Sequence, residues 1–329
     1  MNLVFLAPPT HRPLGGVKVI YQLANACDEI LRDRGSNAFV CHPNRFNFRV
    51  KWFDSKVNLR NAYFGPRLHK KVSLTKIYRR TFDAAEDVLV IPELWVRKYC
   101  LQLLALKIRY IILVQGGYLL TKGERQELDS AYSAAELIMC VSDDTASCVS
   151  SAFPNARSKI VRFHLWVDSN KFQPAPEKNN WITYMPRKLK RHSDLCKFFV
   201  SNNLPPNWEW VPLDKMSEDE VAGNLAKSKI FVSFTELEGL GLPPIEAALA
   251  GNFVVGYTGE GGKEFWWPNL FTEIHNGNLL ALSQVIINLA SNWPDLDHRQ
   301  SEHLRNQLAK KFSKAAMLSD LRQVLNRIA

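Results

Sequence analysis

Residues 229–257 constrain the fold of this chain more tightly than any other stretch. Lys229-Ile230-Phe231-Val232-Ser233-Phe234 is a mostly apolar run with the length of a strand buried on both faces. The turn Glu236-Leu237-Glu238-Gly239-Leu240-Gly241-Leu242 follows, and then Pro243-Pro244. Proline is pre-set for the first helical turn and lacks an N–H that would be orphaned there, so a helix is expected to start at Pro243 or Pro244. Gly251 ends it, and Asn252-Phe253-Val254-Val255-Gly256-Tyr257 forms a second strand. Gly239 and Gly241 let the backbone approach a ligand closely. The helix start behind them points N–H groups at that ligand, which suits a phosphate. Two carboxylates, Glu238 and Glu246, flank the turn with seven residues between them.

The same grammar runs through the rest of the chain. Residues 3–7 read as a strand and 7–16 as a loop ending in Gly15-Gly16. A helix is expected over 17–34, because Val17, Ile20, Tyr21, Ala24, Cys27, Ile30 and Leu31 recur at helical spacing, and Gly35 stops it. A strand follows over 36–41. No G-x-G-x-x-G fingerprint accompanies this unit. Further strands are expected over 88–91, 110–114, 137–141 and 159–163, with helices over 94–106 and from 143 to about 152. Ligands of open α/β sheets sit at the carboxyl ends of the strands, which makes Gln115, Gly116 and Ser142 candidates. For Ser142 a helix N-cap is the favoured role.

Residues 170–180 carry Pro174 and Pro176 among polar residues and read as a link between two domains, 1–168 and 169–329. The second opens with a strand over 181–185 and the basic turn Pro186-Arg187-Lys188-Leu189-Lys190-Arg191-His192. A strand over 208–213 precedes a helix over 217–227, where Ser217 and Glu220 make a capping-box pattern. Near the end, Ala316, Leu321, Val324, Leu325 and Ile328 form one apolar helical face. The fold class is therefore α/β, with two Rossmann-like doubly wound domains.

Composition narrows the function. The net charge is +10 over 329 residues, and it is concentrated: ten Lys and Arg stand against one Asp between Arg49 and Arg80. Phe46, Phe48, Trp52, Phe53, Tyr63, Phe64 and Tyr78 are interleaved with these cations. Such a segment suits an anionic partner: membrane headgroups, a phosphorylated lipid carrier or an acidic polysaccharide. No nucleic-acid motif accompanies it, and nucleic acid is not the expected partner. The six cysteines lack Cys-x-x-Cys spacing and fit reduced, buried thiols. No apolar run reaches the roughly 18 residues of a membrane span. Residues 3–7 are too short for a signal-peptide core, so a cytoplasmic protein is expected, peripheral on the inner face of the membrane.

The Glu238-to-Glu246 pattern resembles the glutamate–seven residues–glutamate motif of retaining, family-4-type glycosyltransferases with the GT-B fold, and the resemblance extends over nearly the whole chain. It implies two Rossmann-like domains facing across a cleft, with the last helix crossing back to the first. It implies that Glu246 holds the donor ribose and that Glu238 lies near the donor sugar and the acceptor. Gly239, Leu240, Gly241 and Leu242 would line the donor, with Gly15 and Gly16 by its phosphates and the acceptor. The family places an Arg and a Lys on the donor diphosphate; Arg187 matches the first, and Lys188 and Lys190 both remain open for the second. Family members often carry a histidine near Gln115, and its absence here leaves no histidine-assisted step.

The activity so implied is transfer of a sugar from a nucleotide-diphosphate sugar to an acceptor hydroxyl with retention of configuration. The setting would be bacterial polysaccharide or glycolipid synthesis, with a lipid-linked or polysaccharide acceptor. A uridine nucleotide is the commonest donor of such enzymes. No cofactor and no metal are expected: no Asp-x-Asp ends a strand, Asp295-Leu296-Asp297 sits in a polar stretch between helices, and Asp143-Asp144 opens a helix. Arg187 and a neighbouring lysine would carry the leaving-group charge instead. The alternatives are a non-catalytic protein on the same fold that binds an anionic polymer or lipid through residues 49–80, and an epimerase that converts donor without an acceptor.

Overall fold

The computed structural model describes residues 1–53, 56–62, 81–293 and 298–328. The chain divides into two compact units, Met1–Leu165 with Ala315–Ala329, and Trp166–Lys314. Most of the basic segment, residues 54–55 and 63–80, and also Asp295, Leu296 and Asp297, lie outside the described residues.

The first unit carries a six-stranded sheet in the order β2-β1-β3-β4-β5-β6. Its strands are β1 (Asn2–Leu6), β2 (Ala38–Cys41), β3 (Asp87–Pro92), β4 (Arg109–Val114), β5 (Ile138–Cys140) and β6 (Ile160–Arg162). All pairs are parallel, with registers such as Val4 opposite Phe39 and Val90 opposite Ile111. Every residue of β3 is buried, as expected of a strand covered on both faces. The helices are α1 (Gly15–Arg32), α2 (Val96–Ala105), α3 (Arg125–Ala134), α4 (Asp143–Ala152) and, from the far end of the chain, α10 (Lys314–Ile328). On α10, Met317, Leu318, Leu321, Val324, Leu325 and Ile328 are buried. Ala316, expected on that face, is only half-buried. Polar ties hold α10 in place. Arg109 grips Glu136 and donates to the Ile328 carbonyl at 2.6 Å, and Asp320 accepts from the His164 backbone N–H at 2.7 Å.

The second unit carries a five-stranded sheet, β11-β10-β9-β7-β8, again all parallel. Its strands are β7 (Asn179–Tyr184), β8 (Glu209–Pro212), β9 (Ser228–Ser233), β10 (Phe253–Gly256) and β11 (Phe271–Glu273). Its helices are α5 (Lys190–Val200), α6 (Glu218–Lys227), α7 (Leu242–Leu249), α8 (Leu279–Ser291) and α9 (His298–Lys311). Ser217 and Glu220 form the expected capping box at the start of α6. Lys178, at the entry to this unit, donates to the carbonyls of Ala226, Ser228 and Ala250 at 2.7–3.0 Å. One ammonium thus satisfies chain ends from two helices that would otherwise leave buried acceptors bare.

Both sheets share one winding, two strands counted outward one way from the start and the remainder the other way. That is the 2-1-3-4-5 doubly wound order, whose crevices open between β1 and β3 and between β7 and β9. The loops that leave the carboxyl ends of those four strands are therefore the places to look for a site.

Local corrections to the sequence reading are small and physical. Gly15 and Gly16 are the first residues of α1, not the end of a loop. Residues 93–95 form a short 3-10 turn before α2. Phe46 is exposed, whereas Phe48, Trp52 and Phe53 are half-buried and have inward partners. Phe48 packs edge-on against His42, Phe53 edge-on against Tyr21, and Trp52 against Phe53. Arg60 is engaged internally, pairing with the buried Asp87 at 2.8 Å and donating to the Thr81 carbonyl. Arg60 is therefore not available to an external anion.

Candidate functional site

In the second unit the loops after β7 and β9 meet at the crevice. The β7 loop, Met185 to Leu189, ends with Leu189 in the left-handed region (φ 41°, ψ 50°), an uncommon state for a branched side chain. On this loop the Lys188 Nζ contacts Glu238 Oε1 of the β9 loop directly. Both side chains are about one third exposed. Burial and the neighbouring Arg187 guanidinium push the Lys188 ammonium down to about 8. The Glu238 carboxylate works in the opposite sense, since an opposite charge favours the ionised form.

Lys190 goes elsewhere. It opens α5, is exposed, and pairs with Asp194 one turn on at 2.5 Å. Of the two lysines left open by spacing, Lys188 is the one brought to Glu238. Arg187, exposed, precedes it on the same loop.

Glu238 is fixed from its backbone. Its N–H donates to the Gly259 carbonyl at 2.7 Å, and its own carbonyl accepts from Gly261 at 3.2 Å. Glu238 and Glu260 thus form an isolated parallel bridge between the loops after β9 and β10. The close approach depends on glycine: a Cβ on Gly261 would overlap the Gly239 carbonyl and lie 2.8 Å from the Glu238 carbonyl oxygen. Between Gly259 and Gly261 the chain makes a γ-turn of the rarer hand, with Glu260 at φ 69° and ψ −62° and a Gly261-to-Gly259 hydrogen bond of 3.0 Å. Backbone strain of this kind persists where surrounding structure enforces it, often at functional sites.

Helix α7 starts at Leu242, one residue before the expected prolines, with Gly241 at φ 83° as its N-cap. Prolines at 243 and 244 remove two of the four N–H groups a helix start usually offers. An anion here therefore depends more on Leu242, on the glycine turn and on the nearby cations. Gly239 and Leu240 are buried, and Gly241 and Leu242 half-buried. Glu246 sits in the second turn of α7 and is 9% exposed. A first-turn capping role, the ordinary structural use of such a glutamate, does not apply at that position. His192, near the start of α5, has its Nδ1 3.2 Å from the buried Tyr257 hydroxyl, and Thr235 donates to the Tyr257 carbonyl at 3.2 Å.

In the first unit the loops after β1, β3 and β4 also converge. Gln115 Nε2 donates to the Gly16 carbonyl at 3.2 Å, joining two of the expected residues. Gly15 is exposed beside them. Ser142 is the N-cap of α4, its Oγ accepting from the Thr145 N–H at 3.0 Å in a reciprocal capping box. His42 is buried behind the β1 loop, and burial pushes it down to about 4. It is therefore neutral; Nδ1–H donates to the Ala7 carbonyl and Nε2 accepts from the Tyr21 hydroxyl. Sequence reasoning missed Glu93 and Thr235. Glu93 did leave a signal, as an acid directly after the apolar run 88–92.

Among the described residues no group of three His, Cys, Asp or Glu side chains is gathered as metal ligands, and no helix is long and apolar enough to cross a membrane.

Two parallel α/β sheets of six and five strands with these windings define the GT-B fold. The solved neighbours of the chain are GT-B glycosyltransferases. Sucrose-phosphate synthase of Thermosynechococcus elongatus superposes with a TM-score of 0.74 at 12% identity, over 99% of this chain and 98% of that one. Anabaena HepE in complex with UDP-glucose gives 0.72 at 11% identity over 99% of both chains. Staphylococcus aureus TarM, in complex with fondaparinux, α-GlcNAc-glycerol and UDP, gives 0.72 at 10% over 99% of both. No protein-family model matches the sequence. An α-1,6-glucosyltransferase of Actinobacillus pleuropneumoniae serotype 7 is 27% identical over 113 residues, 33% of this chain and 31% of that enzyme. The match thus spans about a third of that relative.

Proposed function

We propose that this protein is a glycosyltransferase that moves a sugar from a nucleotide-diphosphate sugar, with UDP as the nucleotide, to an acceptor hydroxyl with retention. The observation that carries the reading is the meeting of Lys188 and Glu238 at the crevice between β7 and β9, beside a glycine turn and a helix start. UDP and UDP-glucose in the structures of neighbours of the same fold support the choice of donor.

In this mechanism the donor diphosphate lies against the β7 loop and the Gly239–Leu242 turn. Arg187 and Lys188 stabilise the negative charge that grows on the diphosphate as the sugar departs. As Lys188 moves to phosphate, Glu238 is released to the sugar and the incoming hydroxyl. Glu246 holds the ribose. The departing phosphate accepts the acceptor proton, so no separate base and no metal are required of the protein; turnover retained in excess chelator is the expected result.

A thermal-shift series with nucleoside diphosphates and nucleotide sugars tests the donor reading, because a ligand of the native state raises its stability. UDP is expected to raise the midpoint of the wild type. Glu246→Ala should reduce that shift, with affinity falling about tenfold to a hundredfold for loss of a charged hydrogen bond worth roughly 1.5–3 kcal/mol. An unchanged shift would remove the ribose role.

The acceptor is proposed to be lipid-linked or a polysaccharide, and the excess charge of residues 49–80 supports an anionic surface as its setting. Association with acidic liposomes should weaken steeply between about 50 and 500 mM salt, as the Debye length falls from roughly 14 to roughly 4 Å. Salt-independent association would count against it.

A further inference from the structure

Glu93 is the first residue past β3 and is 6% exposed at the carboxyl edge of the first sheet. Its carboxylate lies beside the Gln115-Gly116 turn, whose backbone N–H groups favour its ionised form. It sits so close to that turn that a Cβ on Gly116 would lie 3.5 Å from Glu93 Oε1. Gln115, held in this way, presents its amide to the Gly16 carbonyl. One carboxylate and one carboxamide thus tie together the segments that follow β1, β3 and β4, at the crevice where this winding places ligands.

We propose that Glu93 is a positioning residue, which fixes the Gln115-Gly116 turn and, through Gln115, the start of α1 in the geometry that receives the acceptor. The acceptor clause rests on the glycosyltransferase reading; the positioning itself rests on the first unit alone.

The groups that face Glu93 decide its protonation. Lys122 faces it with a positive charge, and Tyr132 on α3 and Cys140 on β5 lie within electrostatic reach. Burial raises the Tyr132 phenol well above its usual range and pushes the Cys140 thiol up to about 12, so both are neutral. Burial likewise pushes the Glu93 carboxyl up to about 7, against the pull of the nearby backbone N–H groups and Lys122. The carboxylate, the better acceptor for two N–H groups, therefore fills in as pH rises through neutrality. The stability effect has the opposite sign. A carboxyl raised on folding stabilises the native state below its ordinary range, and that contribution is lost as pH rises to about 7. The form that holds the turn is the form that costs stability.

The test compares full-length wild type, Glu93→Gln and Glu93→Asp. Amide hydrogen exchange at Gln115 and Gly116 is measured at pH 6 and 8 and corrected for the intrinsic rate. In the wild type, protection should rise several-fold from pH 6 to 8, and kcat/KM for the acceptor should climb over the same interval. Glu93→Gln should abolish both pH dependences and raise the thermal midpoint at pH 8. Glu93→Asp should recover part of the pH dependence. Protection and pH profile unchanged in Glu93→Gln would overturn the proposal. So would a general loss of protection with a lowered midpoint in both variants, which marks a packing role. A wild type that neither binds UDP nor turns over would remove the proposed function, and the exchange data would still decide the role of Glu93.

Discussion

Lys188→Ala is expected to lower kcat by about 10²- to 10³-fold, the usual cost of removing one fixed donor from a developing negative charge. The residue is half-buried on the β7 loop beside Arg187, so its charge acts in partly dehydrated surroundings, where it is worth more than at the open surface. Its ion pair with Glu238 makes a second, opposite result informative. A diphosphate must draw Lys188 away from Glu238, so Glu238 competes with the ligand. Glu238→Gln should therefore bind UDP several-fold more tightly than the wild type while turning over far more slowly. Tightening without loss of turnover would leave Glu238 a mere competitor; weaker UDP binding would show that the pair does not oppose the ligand. The pH profile follows with a defined sign. Lys188 must be cationic, burial holds it near 8 and Glu238 draws it upward, so kcat/KM should decline with rising pH from about 8 or above.

Gly261→Ala should be strongly damaging. The added Cβ meets two carbonyl groups of the backbone that carries Glu238, and backbone cannot swing aside as a side chain end can. Forcing the loops apart breaks the Glu238–Gly259 and Gly261–Glu238 hydrogen bonds together. A cost of roughly 3 kcal/mol or more is expected, read as a lowered unfolding midpoint, with turnover abolished. Gly223→Ala provides the control. It lies within α6 with open space around its Cα, and alanine there should stabilise by about 1 kcal/mol. Similar midpoints for the two variants would show that the loops after β9 and β10 are not held as described.

The strands were legible because parallel strands covered on both faces are written as apolar runs. Residues 88–91 and 229–234 gave β3 and β9 to within a residue or two. The glycine turn and its acids were equally plain. What spacing did not decide was the choice between Lys188 and Lys190. Leu189 takes a left-handed conformation at the N-cap of α5 with no glycine to announce it, between Lys188 on the loop and Lys190 on the helix. Glu93 was missed because its importance is tertiary: its partners Gln115 and Gly116 come from the next strand of the sheet. The inward partners of Phe48 and Phe53, His42 and Tyr21, are likewise tertiary and left no mark in the sequence.

Cys148 is the one partly exposed thiol of the six, and its place in the fold has a practical consequence. Burial pushes the thiols of Cys27, Cys41 and Cys140 to about 12 and that of Cys196 to about 11, and raises Cys100 further. Alkylating or oxidising reagents should therefore act first at Cys148. Its Sγ abuts Gly117, where even a methyl would come within 2.7 Å. An adduct on that sulfur would press on the Gln115–Gly117 turn, which makes a maleimide or a spin label at this natural position a reporter of the loop that Glu93 holds.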